Sequence, residues 1–427
     1  MAKFKQLRWT MLVLFIAGVT LNYVTRNTLG ILAPELEHIF HMSTQEYSWV
    51  VAAFQAAYAI SQPICGWVLD FIGLKVGFLF FASAWAIVCM LHSLATGWES
   101  LAVLRFFMGV TESVAVPANL KILTDWFPSK ERGVAAGWAG VGFSFGAMLA
   151  PPLVVAIRLH YGWQAAFYVT GFMGLIWAGI WKFYYNNPRD HKLISPEEKA
   201  FIFDEATVRS EEPLKTNIWT CLKDICKVKK FYGVAIPAFL AEPAWQTMSF
   251  YVPLYLATER GMNLKEIAMF AWLPFLAADI GSAASGYLAK WYRNHFNFNV
   301  NNATVWSSVS GAVLMISLAF VPFVNNPYAA IGLISIGGFG HAAISAMLGV
   351  LIMENFESNQ VASINGVRGF AAWTSAFLFS LLIGAIVPQS GFSPIFMAMG
   401  FFDIIGAAFM ISLIYDRSRK ALTGVKG

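Results

Sequence analysis

The chain has 427 residues, of which 58% are hydrophobic, 16% aromatic and only 12% charged. Soluble domains average about 25% charged residues, so half that share excludes an ordinary soluble protein and implies a polytopic membrane protein. The net charge of +5 is not a nucleic-acid signature, because the basic residues lie between apolar runs, where membrane orientation requires them.

Residues 1–9 carry Lys3, Lys5 and Arg8 ahead of an apolar run that reaches about Leu32. No small-residue cleavage site follows, so the run reads as a retained first helix rather than a signal peptide. A span needs about 20 mostly apolar residues. On that measure, spans are predicted at 9–33, 47–71, 76–95, 99–123, 133–158, 164–186, 231–257, 265–289, 303–324, 327–352, 360–386 and 392–415. Most connections are short. The polar stretch 187–230 is the exception, and it divides the chain into a six-helix bundle at 1–186, a linker at 187–230 and a second six-helix bundle at 231–427. The predicted fold is therefore all-α and polytopic, with twelve spans in two halves. With the N-terminus inside, 22 of the 29 lysines and arginines fall on the cytoplasmic side and three outside, which makes both termini cytoplasmic. The four cysteines have no metal-ligand spacing, and no metal or cofactor is expected.

The halves echo each other. Gly66-Trp67-Val68-Leu69-Asp70 closes the second span and Gly286-Tyr287-Leu288-Ala289-Lys290 closes the eighth, six spans later. A weaker echo links Glu131-Arg132-Gly133 with Asn359-Gln360-Val361. Repeated halves around a midplane site are a transporter architecture. Between spans two and three, Gly66, Asp70, Gly73 and Lys75 form a G-x-x-x-D-x-x-G-x-K pattern that resembles the loop signature of the major facilitator superfamily. The glycines permit close helix approach and a tight turn. The resemblance makes this loop a conformational lock. Phe71 stands where that family usually has a basic residue.

Charges inside the spans carry the functional signal. A charge at the bilayer centre costs at least about 2.5–3.5 kcal/mol, so it is retained only beside a polar cavity or a partner. By helical rise, Arg26 lies roughly 7 Å outward of its span's midpoint, Arg105 about 9 Å outward, and Glu112 near the middle. Arg105 and Glu112 are seven residues apart and share a helix face. Tyr58 falls near the midplane, with Gln55 one turn away, and Asn22 precedes Arg26 by one turn. Arginine's planar fork matches a carboxylate. Tyr58, Gln55 and Asn22 suit sugar hydroxyls. Glu112 in a low-dielectric cavity suits loading and release of a proton, with Arg105 as the nearby cation. An anionic substrate and a proton are thus the expected partners, alongside membrane lipid. The second half offers Glu242 beside the helix-interrupting Pro243, and Trp245, His341 and Arg368 as further binding candidates.

Tyr-Val-Thr-Arg-Asn-Thr (23–28), Gln-Pro-Ile-Cys-Gly-Trp-Val-Leu-Asp (62–70), Trp-Phe-Pro-Ser-Lys-Glu-Arg (126–132), Leu-Ala-Glu-Pro-Ala-Trp (240–245) and Asn-Leu-Lys-Glu-Ile-Ala-Met-Phe-Ala-Trp (263–272) resemble the hexuronate transporters of the anion:cation symporter branch of that superfamily. The resemblance implies proton-driven uptake of galacturonate and glucuronate across a bacterial inner membrane. It implies that Arg26 and Arg105 bind carboxylate, Tyr58 binds substrate and Glu112 takes the proton. It also implies a carrier that often acts as a monomer. Galactonate carriers of the branch have an aspartate before the first arginine, where this chain has Thr25, and a polar residue where it has Phe143. Glu112 is therefore expected to work alone or with Glu242 or another acid of the second half. A carrier for another organic anion, such as an aldonate or sialate, and a membrane sensor remain as alternatives. No nucleophile, paired-acid or metal constellation in the polar loops supports an enzyme.

Overall fold

The computed structural model describes residues 6–203, 218–356 and 361–415; the side chains of residues 63, 67, 70, 71, 124, 129–134, 136, 137, 218–222, 353 and 361–363 also lie outside that description. Helices occupy all twelve predicted span positions. In chain order they are α1 (Leu7–Ile39), α2 (Thr44–Ile72), α3 (Leu74–Leu91), α4 (Trp98–Glu112) continued by α5 (Ala115–Trp126), α6 (Ser129–Tyr161) and α7 (Trp163–Tyr184). A short linker helix, α8 (Pro196–Ile202), and α9 (Ile218–Lys227) come next. The second set is α10 (Lys229–Phe250) continued by α11 (Val252–Thr258), α12 (Leu264–Phe270) continued by α13 (Leu273–Phe296), α14 (Val300–Met315) with a 3₁₀ extension (Ile316–Phe323), α15 (Pro327–Asn355), α16 (Val361–Ser390) and α17 (Ser393–Leu413).

Ten of these spans are long and apolar enough to cross a membrane among the described residues. The other two positions are α2 and α10, which at 29 and 22 residues have the length but not the apolarity. Gln55, Ser61 and Gln62 dilute α2, and Glu242, Gln246 and Thr247 dilute α10. Both helices that fall short carry candidate site residues, Gln55 and Tyr58 on α2 and Glu242 and Trp245 on α10.

The chain divides into two compact units, Met1–Glu212 with Leu264–Met269, and Pro213–Asn263 with Phe270–Gly427. In the first unit α1 packs on α6, α2 on α4, and α3 on α7. In the second α10 packs on α16, α13 on α15, and α17 on α14 with its 3₁₀ extension. Counted as spans, the pairs are 1–5, 2–4 and 3–6, then 7–11, 8–10 and 9–12. The pairing order repeats after six spans, in keeping with the echo between the halves. The Glu131–Gly133 and Asn359–Val361 echo falls largely outside the described residues.

Small residues let the paired helices touch backbone to backbone. A Cβ added at Gly109 of α4 would collide with the Phe54 carbonyl oxygen of α2. Gly281 of α13 stands in the same relation to the Phe339 carbonyl oxygen of α15. Aromatic rings fill the first unit's interior: Phe78 meets Phe15, Trp85, Trp177 and Trp181, with ring centroids 5.2–5.7 Å apart.

Ends are fixed by local chemistry. Ser43 and Glu46 form a reciprocal capping box at the start of α2. Gly73 alone joins α2 to α3 at φ +81°, a conformation that glycine tolerates best. The linker is tied to the first unit at several points, among them His191, which meets the Trp126 ring edge-on with centroids 5.8 Å apart. Glu198, fully buried on α8, accepts from the backbone N–H groups of Leu7 and Arg8 at 3.1 Å each and from Arg8 Nη1 at 3.0 Å. It thereby caps the otherwise orphaned N–H groups that open α1.

Candidate functional site

Three helices bring the first-half candidates together. Asn22, Thr25 and Arg26 lie on α1, Gln55 and Tyr58 on α2, and Arg105 and Glu112 on α4; all seven are buried. The spacings explain the convergence. Asn22 and Arg26 are one turn apart, as are Arg105 and Gly109, and Gly109 allows α4 to close onto α2 beside Phe54.

The central contact is an ion pair. Arg26 Nε donates to Glu112 Oε2 at 2.9 Å, with the two side chains 4% and 0% exposed. Arg26 Nη2 reaches Asn22 Oδ1 at 3.4 Å. Thr25 Oγ1 lies 3.1 Å from Glu112 Oε1 and 2.8 Å from the Asn22 carbonyl oxygen. Its single hydroxyl proton serves one of these acceptors at a time. Arg105 Nη1 and Nη2 both point at the Arg26 carbonyl oxygen at 3.4 Å. The amide nitrogen of Asn22 has no hydrogen-bond partner among the described residues. It is a buried donor available to a ligand.

Rings enclose the Arg26 guanidinium. Its carbon lies 4.4 Å from the Tyr23 ring centre, 4.9 Å from Tyr58 and 5.4 Å from Phe54. Phe143 meets Tyr23 edge-on at 5.2 Å, so the residue in the divergent position buttresses this cage. Sequence reasoning missed Tyr23 and Phe54 as cage members. Their i−3 spacing to Arg26 and i−4 spacing to Tyr58 was the available signal.

Two expectations are revised by the packing. Glu112 takes Arg26 of a different helix as its hydrogen-bonded partner, where the shared face on α4 had suggested Arg105. Gly66 does not serve close helix approach, since an added Cβ would meet Pro117 at an ordinary 3.6 Å. Lys75 donates to Asn186 Oδ1 at 2.6 Å within the first unit, and the Asp70 side chain lies outside the description.

The second unit assembles its own candidates. Trp245 stacks on His341 with centroids 5.5 Å apart and planes at 17°, and Phe275 meets Trp245 edge-on at 5.3 Å. His341 hydrogen-bonds the backbone of Ala241, while its Nδ1 has no partner among the described residues. Gln246 Nε2 donates to Glu242 Oε1 at 2.6 Å. Arg368 of α16 feels the Glu242 carboxylate electrostatically, and its Nε is without a hydrogen-bond partner among the described residues. Gln246, one helical turn beyond Glu242, is the member that sequence reasoning missed.

A chain of repeated six-helix halves with charged groups held inside its spans is a polytopic membrane carrier in architecture. The family model of the Major Facilitator Superfamily matches residues 15–378, and the chain belongs to that superfamily. It is 42% identical to the hexuronate transporter of Escherichia coli strain K12 over 98% of this chain and 96% of the relative. It is 43% identical to the galacturonate transporter of Dickeya chrysanthemi over 78% of this chain and 95% of that protein. Identity to the D-galactonate transporter of Escherichia coli O6:H1 is 28%, over 96% of each chain. Among solved structures, a bacterial homologue of the human lysosomal transporter Spinster, in an inward-facing and occupied conformation, superposes with a TM-score of 0.75. That match covers 95% of this chain and 96% of the homologue at 15% identity. It establishes the shared fold.

Proposed function

We propose that the chain is a proton-coupled importer of hexuronates, galacturonate and glucuronate, working by alternating access in a bacterial inner membrane with both termini cytoplasmic. The observation that carries this reading is the buried Arg26–Glu112 pair, set beside a second buried arginine. The similarity to hexuronate and galacturonate transporters over nearly the whole chain supports the sugar-acid class.

The chemistry follows from one shared cation. With Glu112 ionised, its carboxylate occupies Arg26. A proton arriving from outside neutralises Glu112 and weakens that pair. Arg26, with Arg105, then accepts the uronate carboxylate through fork-like hydrogen bonds. Thr25 suits both states, since its hydroxyl donates to the carboxylate and can accept from the acid. Asn22 Nδ2 offers a donor to a sugar hydroxyl. Release inward lets the proton leave and Glu112 recover Arg26. Trp245 and His341 give the second unit a flat aromatic surface suited to a sugar ring.

The test is uptake of labelled galacturonate into proteoliposomes with an imposed proton gradient. Acid outside is expected to drive accumulation, and dissipating the gradient is expected to abolish it. Arg105→Ala is expected to eliminate uptake. Accumulation that survives dissipation would remove the coupling.

A further inference from the structure

Phe54 touches both candidate carboxylate-binding arginines. Its ring centre is 4.5 Å from the Arg105 guanidinium carbon and 5.4 Å from that of Arg26. The ring is fully buried and packs against Tyr58 with centroids 5.7 Å apart. Its backbone is fixed as well, because the Phe54 carbonyl sits against Gly109, one turn from Arg105.

Two guanidinium charges held close inside a membrane repel each other with little water to screen them. An aromatic ring offers each a negative face without adding a charge or a hydrogen-bonding group. A ring in contact with both cations also ties the place of one to the place of the other. A tyrosine here would bring a buried hydroxyl that needs a partner, and an aliphatic residue would bring no quadrupole.

We propose that Phe54 is a positioning residue for substrate: it sets the spacing and orientation of the Arg26 and Arg105 forks so that both engage one carboxylate. It acts through the two arginines. The proposal rests on the hexuronate reading of the site, and the experiment separates the two.

The full-length protein is made with mono-, di- and trifluorophenylalanine at position 54, which keeps the ring's shape while draining its negative face. Galacturonate counterflow is then measured in proteoliposomes. KM is expected to rise stepwise with fluorination, by about ten-fold over the series, with the maximal rate unchanged. Phe54→Leu is expected to match the trifluoro form. A KM that stays flat across the fluorinated series would overturn the proposal and leave Phe54 a packing residue. If the unsubstituted carrier shows no galacturonate counterflow, the substrate reading fails instead. The series is then read by thermal stabilisation with whichever sugar acid does bind, and a flat series again overturns the role of Phe54.

Discussion

Arg26 holds three relationships at once: an ion pair with Glu112, a cage of three rings and a bond to Asn22. Removing either member of a buried ion pair leaves an uncompensated charge and typically costs about 3–5 kcal/mol. Arg26→Ala is accordingly expected to lower the melting temperature sharply as well as to abolish uptake. Glu112→Gln behaves differently, because the amide keeps an oxygen to accept from Arg26 and mimics the protonated acid, the state in which Arg26 is open to the substrate's charge. That variant is expected to keep galacturonate counterflow but lose acid-stimulated accumulation. Counterflow and accumulation lost together would point to a structural role for Glu112. Thr25→Val removes the hydroxyl that serves Glu112 in both states, so acid stimulation is expected to weaken while binding persists. The residue types at this site were legible in the sequence, since buried arginines and acids stand out against apolar helices. Their pairing was not. Helical periodicity fixes which residues share a face within α4, but it says nothing of how α4 is rotated against α1, and that rotation gave Glu112 to Arg26.

At the level of elements, close helix contacts decide whether those side chains meet. Replacing glycine by alanine in a helix usually stabilises by about 0.5–1 kcal/mol. Gly109→Ala should reverse that sign, because the new methyl lands on the Phe54 carbonyl and pushes α4 off α2. Gly140→Ala, in α6 with open space around it, supplies the control and should stabilise modestly. The expected outcome is a lower melting temperature and reduced uptake for Gly109→Ala alone. Equal shifts for both variants would detach the site from the α2–α4 contact. Span positions and the short connections were readable from hydropathy and turn residues. The interruption of the fourth span at Ser113 and Val114, just past Glu112, does not show in hydropathy; its signal is Pro117, which cannot donate to the Ser113 carbonyl four residues back and whose ring crowds it. Long-range ion pairs escaped for another reason. Arg158 grips Glu35 with two bonds, at 2.6 and 2.8 Å, and Glu198 grips Arg8, yet these partners are more than a hundred residues apart in the chain. Glu198 read as one charge among many in a polar linker.

For the molecule as a whole, orientation can be tested with its own thiols. Cys226 on α9 is exposed, whereas Cys65 and Cys89 are buried. A membrane-impermeant maleimide is expected to label the linker region in inside-out vesicles and not in right-side-out ones. The opposite pattern would invert the topology drawn from the lysine and arginine count. The two six-helix halves and their repeat were legible because charge density drops at each span and rises in the linker. The division of character between them emerged only from packing. The first unit concentrates fixed positive charge around Arg26 and Arg105, and the second offers a Trp245–His341 stack with Gln246 and Glu242. Because the same helix pairing recurs in each unit, recombination of the halves is an informative test. A chimaera that joins residues 1–203 of this chain to the second half of an aldonate carrier should still demand a carboxylate, while its choice among sugar skeletons follows the donor.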